Sequence, residues 1–414
     1  MKRFLATPKR LVLALALGSS VFAAPLVWAA AEEGQSRASA PTIDERTGRI
    51  LTEAIELLNN DNFTGARAAL DGLNKDRLSP YERSRVEQIY FSLAVQAEDY
   101  PEARSHMEAA IASGGFNEVE ISQGRYQLAQ LYMQEENWAE GAKSLESWLT
   151  TANNPAASAY YLLAIAYYQQ EQIEKALEPA RKAVEMSESP QEPWLQLLGA
   201  LLLQKEDYDA ALPVVERSLN LYPGRKTYWT QLSSIYATKE DYQNALVVLE
   251  LANHAGLLTE AADLRRLADM YMVRDMPFRA ATLLQESIDK GVMQPDFRLY
   301  EALANSLIAS REFEKSLPVL ERAGGMAEDG ATFVRLGEVN LQLENWEAAA
   351  DAFQQGLNKG GLRDTANPQM LMGIAYYNLG RYNDARTWLQ RSSSSESTRN
   401  TSQAYLQLIE SKQN

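Results

Sequence analysis

The chain has 414 residues, 46% of them hydrophobic and 23% charged, so it is long enough for two or three compact domains or for one extended array. Its formal net charge of −15 repels nucleic-acid phosphates and anionic lipid, which argues against duplex DNA or RNA as the main ligand. The absence of cysteine excludes disulfides, thiolate zinc sites and a lipid-modified N-terminal cysteine.

Residues 1–29 have the pattern of a secretory signal peptide. A basic stretch precedes an apolar run that begins at Leu11, and small residues close the run. An uncleaved membrane anchor is the alternative, but the run is short and interrupted for a membrane span. Residues 30–47 are rich in Ala, Ser and Glu and predict a flexible lead-in. We therefore expect a protein of the Gram-negative periplasm that is peripheral to the membrane at most.

A repeated pattern fills residues 48–392. An aromatic or large apolar residue is followed three positions later by a small residue and four positions after that by a bulky apolar one, as in Trp346, Ala349 and Phe353. In most copies another small residue lies twelve positions before the first, as Gly337 does here. Ten copies occur at steps of 33 to 38 residues, and their lead residues are Phe63, Tyr100, Trp138, Ile173, Tyr208, Tyr242, Phe278, Phe313, Trp346 and Tyr382.

This pattern resembles the helix-turn-helix unit of tetratricopeptide repeats (TPR), whose period is about 34 residues. The resemblance implies an all-α TPR superhelical solenoid of about ten repeats, in which neighbouring hairpins stack because one hairpin cannot bury its apolar face alone. Residues 393–414 predict a polar linker and a capping helix. Pro179, Pro213 and Pro318 fall inside second helices, which we expect them to kink or to delay.

The first helix of each hairpin is expected to line a concave groove. In the third to fifth repeats this gives an aromatic and amide-rich strip that can hold a peptide by contact area and by hydrogen bonds to its backbone. The alternative is that these side chains only pack against neighbouring helices. The candidate groove residues are Tyr126, Gln130, Tyr161, Ile165 and Tyr168, with Gln127, Met133, Gln196 and Ala200 beside them.

In the seventh to ninth repeats the residues expected to face the groove form a candidate basic patch. The planar guanidinium group of arginine can form two hydrogen bonds to one carboxylate, so an acidic tail or an anionic cell-wall group is a candidate ligand there. The alternative is intramolecular pairing with the nearby acids Asp263, Asp269, Glu301 and Glu338. The patch residues are Arg265, Arg266, Arg298, Asn305 and Arg335.

The chain offers few candidates for catalysis. His106 and His254 are its two histidines, and they lie in different repeats, so a packing or surface role is favoured over metal binding. No glycine-rich phosphate loop or nucleophile elbow occurs. We therefore expect no catalytic residue, no metal and no cofactor. The expected partner is a protein or peptide segment rather than nucleic acid.

A closer resemblance lies in residues 330–392, together with the leader. This part is similar to periplasmic TPR proteins found with TonB–ExbB–ExbD energy-transducing systems. The resemblance implies a non-enzymatic accessory protein that helps such a complex to serve outer-membrane receptors for iron chelates. A cell-envelope assembly or division factor that binds peptidoglycan or its synthases is the main alternative, and a regulator of an envelope enzyme is a third. The stretches that carry the resemblance are residues 341–346, 359–364 and 373–382.

Overall fold

The computed structural model describes residues 42–413, so the signal-peptide prediction lies outside the described residues. Two compact units divide the chain, Met1–Leu221 (unit 1) and Tyr222–Asn414 (unit 2). The described part contains twenty-one α-helices, one short 3₁₀-helix and no strand. No helix within it has the length and apolar character of a membrane span.

Unit 1 contains five helix pairs, and in each we call the first helix A and the second B. Each A helix packs on its own B helix, and α2, α4, α6 and α8 also pack on the next A helix. A 3₁₀-helix, Lys75–Arg77, follows the first pair. The pairs are α1 (Glu45–Asn59) with α2 (Phe63–Asp71), α3 (Pro80–Gln96) with α4 (Tyr100–Ala112), α5 (Glu118–Gln134) with α6 (Trp138–Thr151), α7 (Ala157–Gln169) with α8 (Ile173–Glu185), and α9 (Glu192–Gln204) with α10 (Tyr208–Leu221).

Unit 2 repeats this plan five times and adds a last helix, α21 (Glu396–Gln413), which packs on α19 and α20. The all-α repeat fold with a C-terminal cap is thus confirmed. The pairs are α11 (Lys226–Thr238) with α12 (Tyr242–His254), α13 (Ala261–Val273) with α14 (Pro277–Asp289), α15 (Phe297–Ala309) with α16 (Phe313–Met326), α17 (Ala331–Gln342) with α18 (Trp346–Lys359), and α19 (Ala366–Asn378) with α20 (Tyr382–Ser392).

Small residues lie where the two helices of a pair cross. The Ser233 hydroxyl donates to the Ala245 carbonyl at 2.9 Å, which requires the two backbones to be close. At the equivalent place in the ninth pair, a Cβ on Gly337 would lie 2.6 Å from the ring of Phe353. The second pair differs, because Phe91 occupies the position of the small residue.

The predicted register of the seventh repeat is wrong by one residue. Phe278 was expected to lead the second helix, but α14 begins at Pro277 and the Phe278 side chain is 58% exposed. The buried small residue of α14 that lies twelve positions after Ala268 is Ala280. Proline at the first helical position needs no hydrogen-bond partner for its nitrogen, which explains the earlier start.

A residue with left-handed backbone ends every A helix. The turn is closed by a hydrogen bond from the backbone amide three residues after the helix end, such as Asn137 N to Tyr132 O at 2.8 Å, which is the Schellman arrangement. Eight of the ten left-handed residues are acidic rather than glycine. They are Asp61, Glu98, Glu136, Glu171, Glu206, Glu240, Asp275, Arg311, Glu344 and Gly380.

The three unexplained prolines lie inside helices. Pro179, Pro213 and Pro318 are interior residues of α8, α10 and α16, which begin at their lead residues, so the expected delay of the helix start is wrong. Pro213 and Pro318 are exposed, so water can reach the carbonyls that lose their intrahelical donor.

Candidate functional site

Two of the five predicted groove residues belong to the core. Ile165 is 0% exposed and Gln130 is 2% exposed, so neither side chain offers a surface to a ligand. The physical reason is that each of these A helices packs on its own B helix and on the B helix before it, which leaves little of its surface open. Of the five predicted groove residues, only the three tyrosines remain partly accessible.

The tyrosines pack largely against tryptophans of the same unit. The ring of Tyr126 lies 4.6 Å from that of Trp148, and the ring of Tyr161 lies 5.9 Å from that of Trp194. Burial raises the pKa of both phenols, opposed at Tyr126 by a hydrogen bond with Ser158. The packing alternative therefore describes Tyr126 and Tyr161 well. A binding role for them and for the half-buried Tyr168 stays a prediction.

The sequence reasoning missed a column of amides. All five A helices of unit 1 end in Asn or Gln, and four of these side chains are exposed while that of Gln134 is half-buried. None of the five forms a hydrogen bond through its side chain within residues 42–413. A sequence signal existed, since an amide lies five positions after the small residue of each A helix in four of these repeats. The amide column is Asn59, Gln96, Gln134, Gln169 and Gln204.

In unit 2 the structure brings the predicted arginines together but surrounds them with acids. A guanidinium nitrogen of Arg265 donates to the Arg298 carbonyl at 2.7 Å, and Arg335 donates to the side chain of Asn305. Arg266 lies beside Arg265, roughly 100° around the helix. The basic patch is thus corrected to a mixed-charge face made of Arg265 and Asp269 on α13, Arg298 and Glu301 on α15, and Arg335 and Glu338 on α17.

The alternative, intramolecular pairing of these arginines with nearby acids, is not realised as ion pairs. In the described part of the chain, none of them bridges to a carboxylate, and Asp263 pairs instead with Lys226 at 2.8 Å. Partial desolvation raises the pKa of the Asp269 and Glu338 carboxyls, although both residues are exposed, while the charges of Arg265 and Arg335 oppose the rise. The face therefore holds arginines that form no ion pair within the described residues, and among them Arg298 is exposed.

His106 belongs to a polar network that joins the first two helix pairs. Its Nδ1 lies 2.6 Å from a Glu87 carboxylate oxygen, and its ring stacks on Tyr90 at 4.9 Å. Tyr90 donates in turn to Asp71 at 2.5 Å. Burial pushes the pKa of Glu87 upward, but the His106 hydrogen bond and nearby cations bring it below its usual range. Every member has a partner in the network, which suits a structural role.

His254 lies apart from this network. It is exposed in the last turn of α12, where a basic residue faces the negative end of the helix dipole. Among the described residues, no group of three His, Asp or Glu side chains is arranged to hold a metal ion.

Comparison with protein-family models finds two matches. The model described as tetratricopeptide repeat matches residues 126–193, 301–369 and 334–397. A model described as ChAPs (Chs5p-Arf1p-binding proteins) matches residues 195–253. The comparison with curated proteins finds no match.

Solved structures with similar folds are helical-repeat proteins. MamA from Desulfovibrio magneticus RS-1 is 18% identical, covers 44% of this chain and 99% of that chain, and has a TM-score of 0.37. The C-terminal part of a TPR protein from Cytophaga hutchinsonii is 13% identical, with coverages of 59% and 98% and a TM-score of 0.42. YrrB, described as a TPR protein with an unusual peptide-binding site, is 20% identical, with coverages of 45% and 89% and a TM-score of 0.35. Residues 126–193 and 301–397 thus match the tetratricopeptide repeat model, and the helix pairs around them have the same all-α repeat arrangement.

Proposed function

We propose that this protein is a non-enzymatic scaffold that binds a segment of another protein. The observation that carries the proposal is the amide column. Five successive A helices in one unit end in an amide side chain that forms no hydrogen bond within residues 42–413. Groups that can both donate and accept hydrogen bonds, repeated at a fixed interval, suit a linear polypeptide better than a small molecule.

We further propose that the scaffold acts in the periplasm as an accessory of a TonB-type complex. The support is the signal-peptide pattern of residues 1–29 and the resemblance in residues 330–392. A reporter fusion tests the location: alkaline phosphatase joined after the leader should be active in a Gram-negative host. Replacing Leu13 and Leu15 by Arg should abolish that activity, and full activity in this variant would contradict export by this leader.

Deletion of the gene tests the cellular role. Loss of growth on iron chelates with normal cell shape, restored by the intact gene, supports the TonB-type role. Normal growth on iron chelates together with chaining or lysis contradicts it and supports the envelope-assembly alternative.

The mixed-charge face favours that alternative as a second candidate. Arg298 is exposed and forms no ion pair within residues 42–413, so it is available to an anionic cell-wall polymer. Sedimentation with purified peptidoglycan measures this directly. Binding that falls with salt and is lost on R265E/R298E supports it, because exposed charges are screened over about 10 Å at 0.1 M salt. Salt-independent binding, or none, removes the candidate.

A further inference from the structure

The amide column forms one continuous feature of unit 1. In three of the five A helices the terminal amide lies eight residues after an inward position of the same stripe, as Gln134 follows Tyr126 and Gln169 follows Tyr161. Spacings of four and eight residues keep side chains on one helix face. The middle of the stripe is closed by packing, so its open part is the end that carries the amides.

The interval between neighbouring amides follows from helix packing. Adjacent A helices touch, since Arg85 of α3 pairs with Glu120 of α5, and Tyr161 of α7 packs on Trp194 of α9. Helices packed side by side have axes about 8–10 Å apart, and neighbouring A helices, which touch through long side chains in their N-terminal halves, are expected at about this spacing. A polypeptide in the polyproline II conformation rises about 3.1 Å per residue with three residues per turn, so equivalent groups recur about every 9 Å. One amide therefore meets every third residue of such a ligand.

The chemistry of both partners agrees with this match. A polyproline II backbone makes no internal hydrogen bonds, so its carbonyls are free to accept. A Gln or Asn side chain supplies two N–H donors and one acceptor. Because proline retains its carbonyl, such contacts tolerate a proline-rich ligand.

The residues beside the column select the charge of the ligand. The left-handed residue two positions after each amide is acidic in all five turns of unit 1. None of these carboxylates forms an ion pair within residues 42–413. The one basic residue between an amide and its acid, Lys205, is engaged by Glu174 at 2.7 Å. The acidic row consists of Asp61, Glu98, Glu136, Glu171 and Glu206.

We infer that unit 1 binds an extended, basic, polyproline II-like polypeptide segment along the amide column, with Lys or Arg side chains of the ligand directed to the acidic row. This inference rests on the proposed scaffold function and names the class of its partner. Four successive amides span about 24–30 Å, which corresponds to about eight to ten ligand residues.

Fluorescence anisotropy with defined peptides tests the inference. The probe is a labelled Lys-Pro-Pro repeat peptide of about twelve residues, long enough for four amides. The protein carrying Q134A/Q169A/Q204A should bind it about tenfold or more weakly, because three hydrogen bonds are lost. The matched control is Q285A/Q355A/Q390A, which removes three exposed amides from B helices of unit 2 and should leave binding unchanged. Far-UV circular dichroism checks that both variants stay folded.

A second arm tests the role of charge. E136Q/E171Q/E206Q keeps side-chain size and should weaken binding at low salt and flatten its salt dependence. A Glu-Pro-Pro peptide should bind far more weakly than the Lys-Pro-Pro peptide. Equal binding of the two peptides, or unchanged binding by the triple glutamine-to-alanine variant, overturns the inference.

Photocrosslinking in cells separates this inference from the scaffold proposal. A photoreactive residue at Gln134 should capture a partner whose crosslinked segment is basic and extended. Capture of a specific partner only from Asn305 on the mixed-charge face would overturn the inference and leave the scaffold proposal intact. Capture from neither position, with the protein at its native level, would contradict both.

Discussion

Three A helices have glycine where they cross their B helix. The sites differ in how much room the surrounding side chains leave for an added Cβ atom, as Gly337 and Gly199 show. A Cβ on Gly337 would lie 2.6–2.8 Å from three ring atoms of Phe353, whose side chain is 0% exposed. A Cβ on Gly199 would meet only Val214, at 3.9 Å, which is an ordinary contact. We therefore predict that Gly337→Ala destabilises the protein and that Gly199→Ala stabilises it.

The magnitudes follow from two opposing terms. Replacing glycine by alanine inside a helix gains about 0.8–1 kcal/mol of propensity. Overpacking a close-packed core costs about 1–3 kcal/mol, and the buried Phe353 ring has no open side to move into. Gly199→Ala should therefore gain up to about 1 kcal/mol, and Gly337→Ala should lose about 1–2 kcal/mol net. For units of about 150–250 residues, each kcal/mol shifts the melting temperature by about 2–4 °C.

Urea and thermal unfolding followed by circular dichroism at 222 nm measure both changes. Gly325→Ala is a further control, because it lies in α16 with nothing within 4 Å of its Cβ position, and it should also stabilise. Midpoints that rise in all three variants would refute the claim that the crossing at Gly337 is closed to a methyl group. A midpoint that falls in all three would refute the use of local space to predict the sign.

Three further predictions concern packing, backbone and charge. Ala211→Leu and Ala245→Leu place bulk at fully buried crossings and should each cost about 1–3 kcal/mol, visible as lower urea midpoints; unchanged curves would count against the stacking register. Gly380→Ala should cost about 1–2 kcal/mol because φ is +73° there, whereas Glu240→Ala at the equivalent turn should be near neutral; equal effects on the melting temperature would contradict this. The raised pKa of Glu338 means that folding favours its neutral form, so its contribution falls as pH rises from the unfolded value of about 4.3 through the folded value. Because the Glu338 side chain is exposed and its charge is screened, Glu338→Gln should raise the melting temperature only slightly at pH 7 relative to wild type and less below pH 4; a larger gain in acid would contradict the raised pKa of this carboxyl.

The repeat fold was readable from the sequence because it depends on a local pattern. A small residue such as Ala245 is required wherever two helices cross closely, and its recurrence gives the pairing and the boundaries of nearly every helix. The one-residue error at Phe278 arose because an aromatic residue followed Pro277, and both fit the start of a helix.

Accessibility was harder to predict. Ile165 and Gln130 lie on the helix face that the pattern assigns to the groove, but how far neighbouring helices cover that face depends on side chains from another repeat. The partners of the charged side chains were hard to predict for the same reason. Asp263 lies two and three residues before Arg265 and Arg266 in the sequence, yet it forms its ion pair with Lys226 on the preceding A helix.

The amide column is not a by-product of the turn that follows it. In unit 2 the same turn is closed by the same hydrogen bonds, such as Asp241 N to Tyr236 O at 2.9 Å and Glu312 N to Leu307 O at 2.8 Å. Yet the A helices before those two turns end in Thr238 and Ala309, although α17 and α19 end in Gln342 and Asn378. The turn therefore accepts a hydroxyl or a methyl group at the position where unit 1 has an amide five times in succession. Local folding does not demand Asn or Gln there, which supports the proposal that the unbroken series of amides in unit 1 serves a ligand.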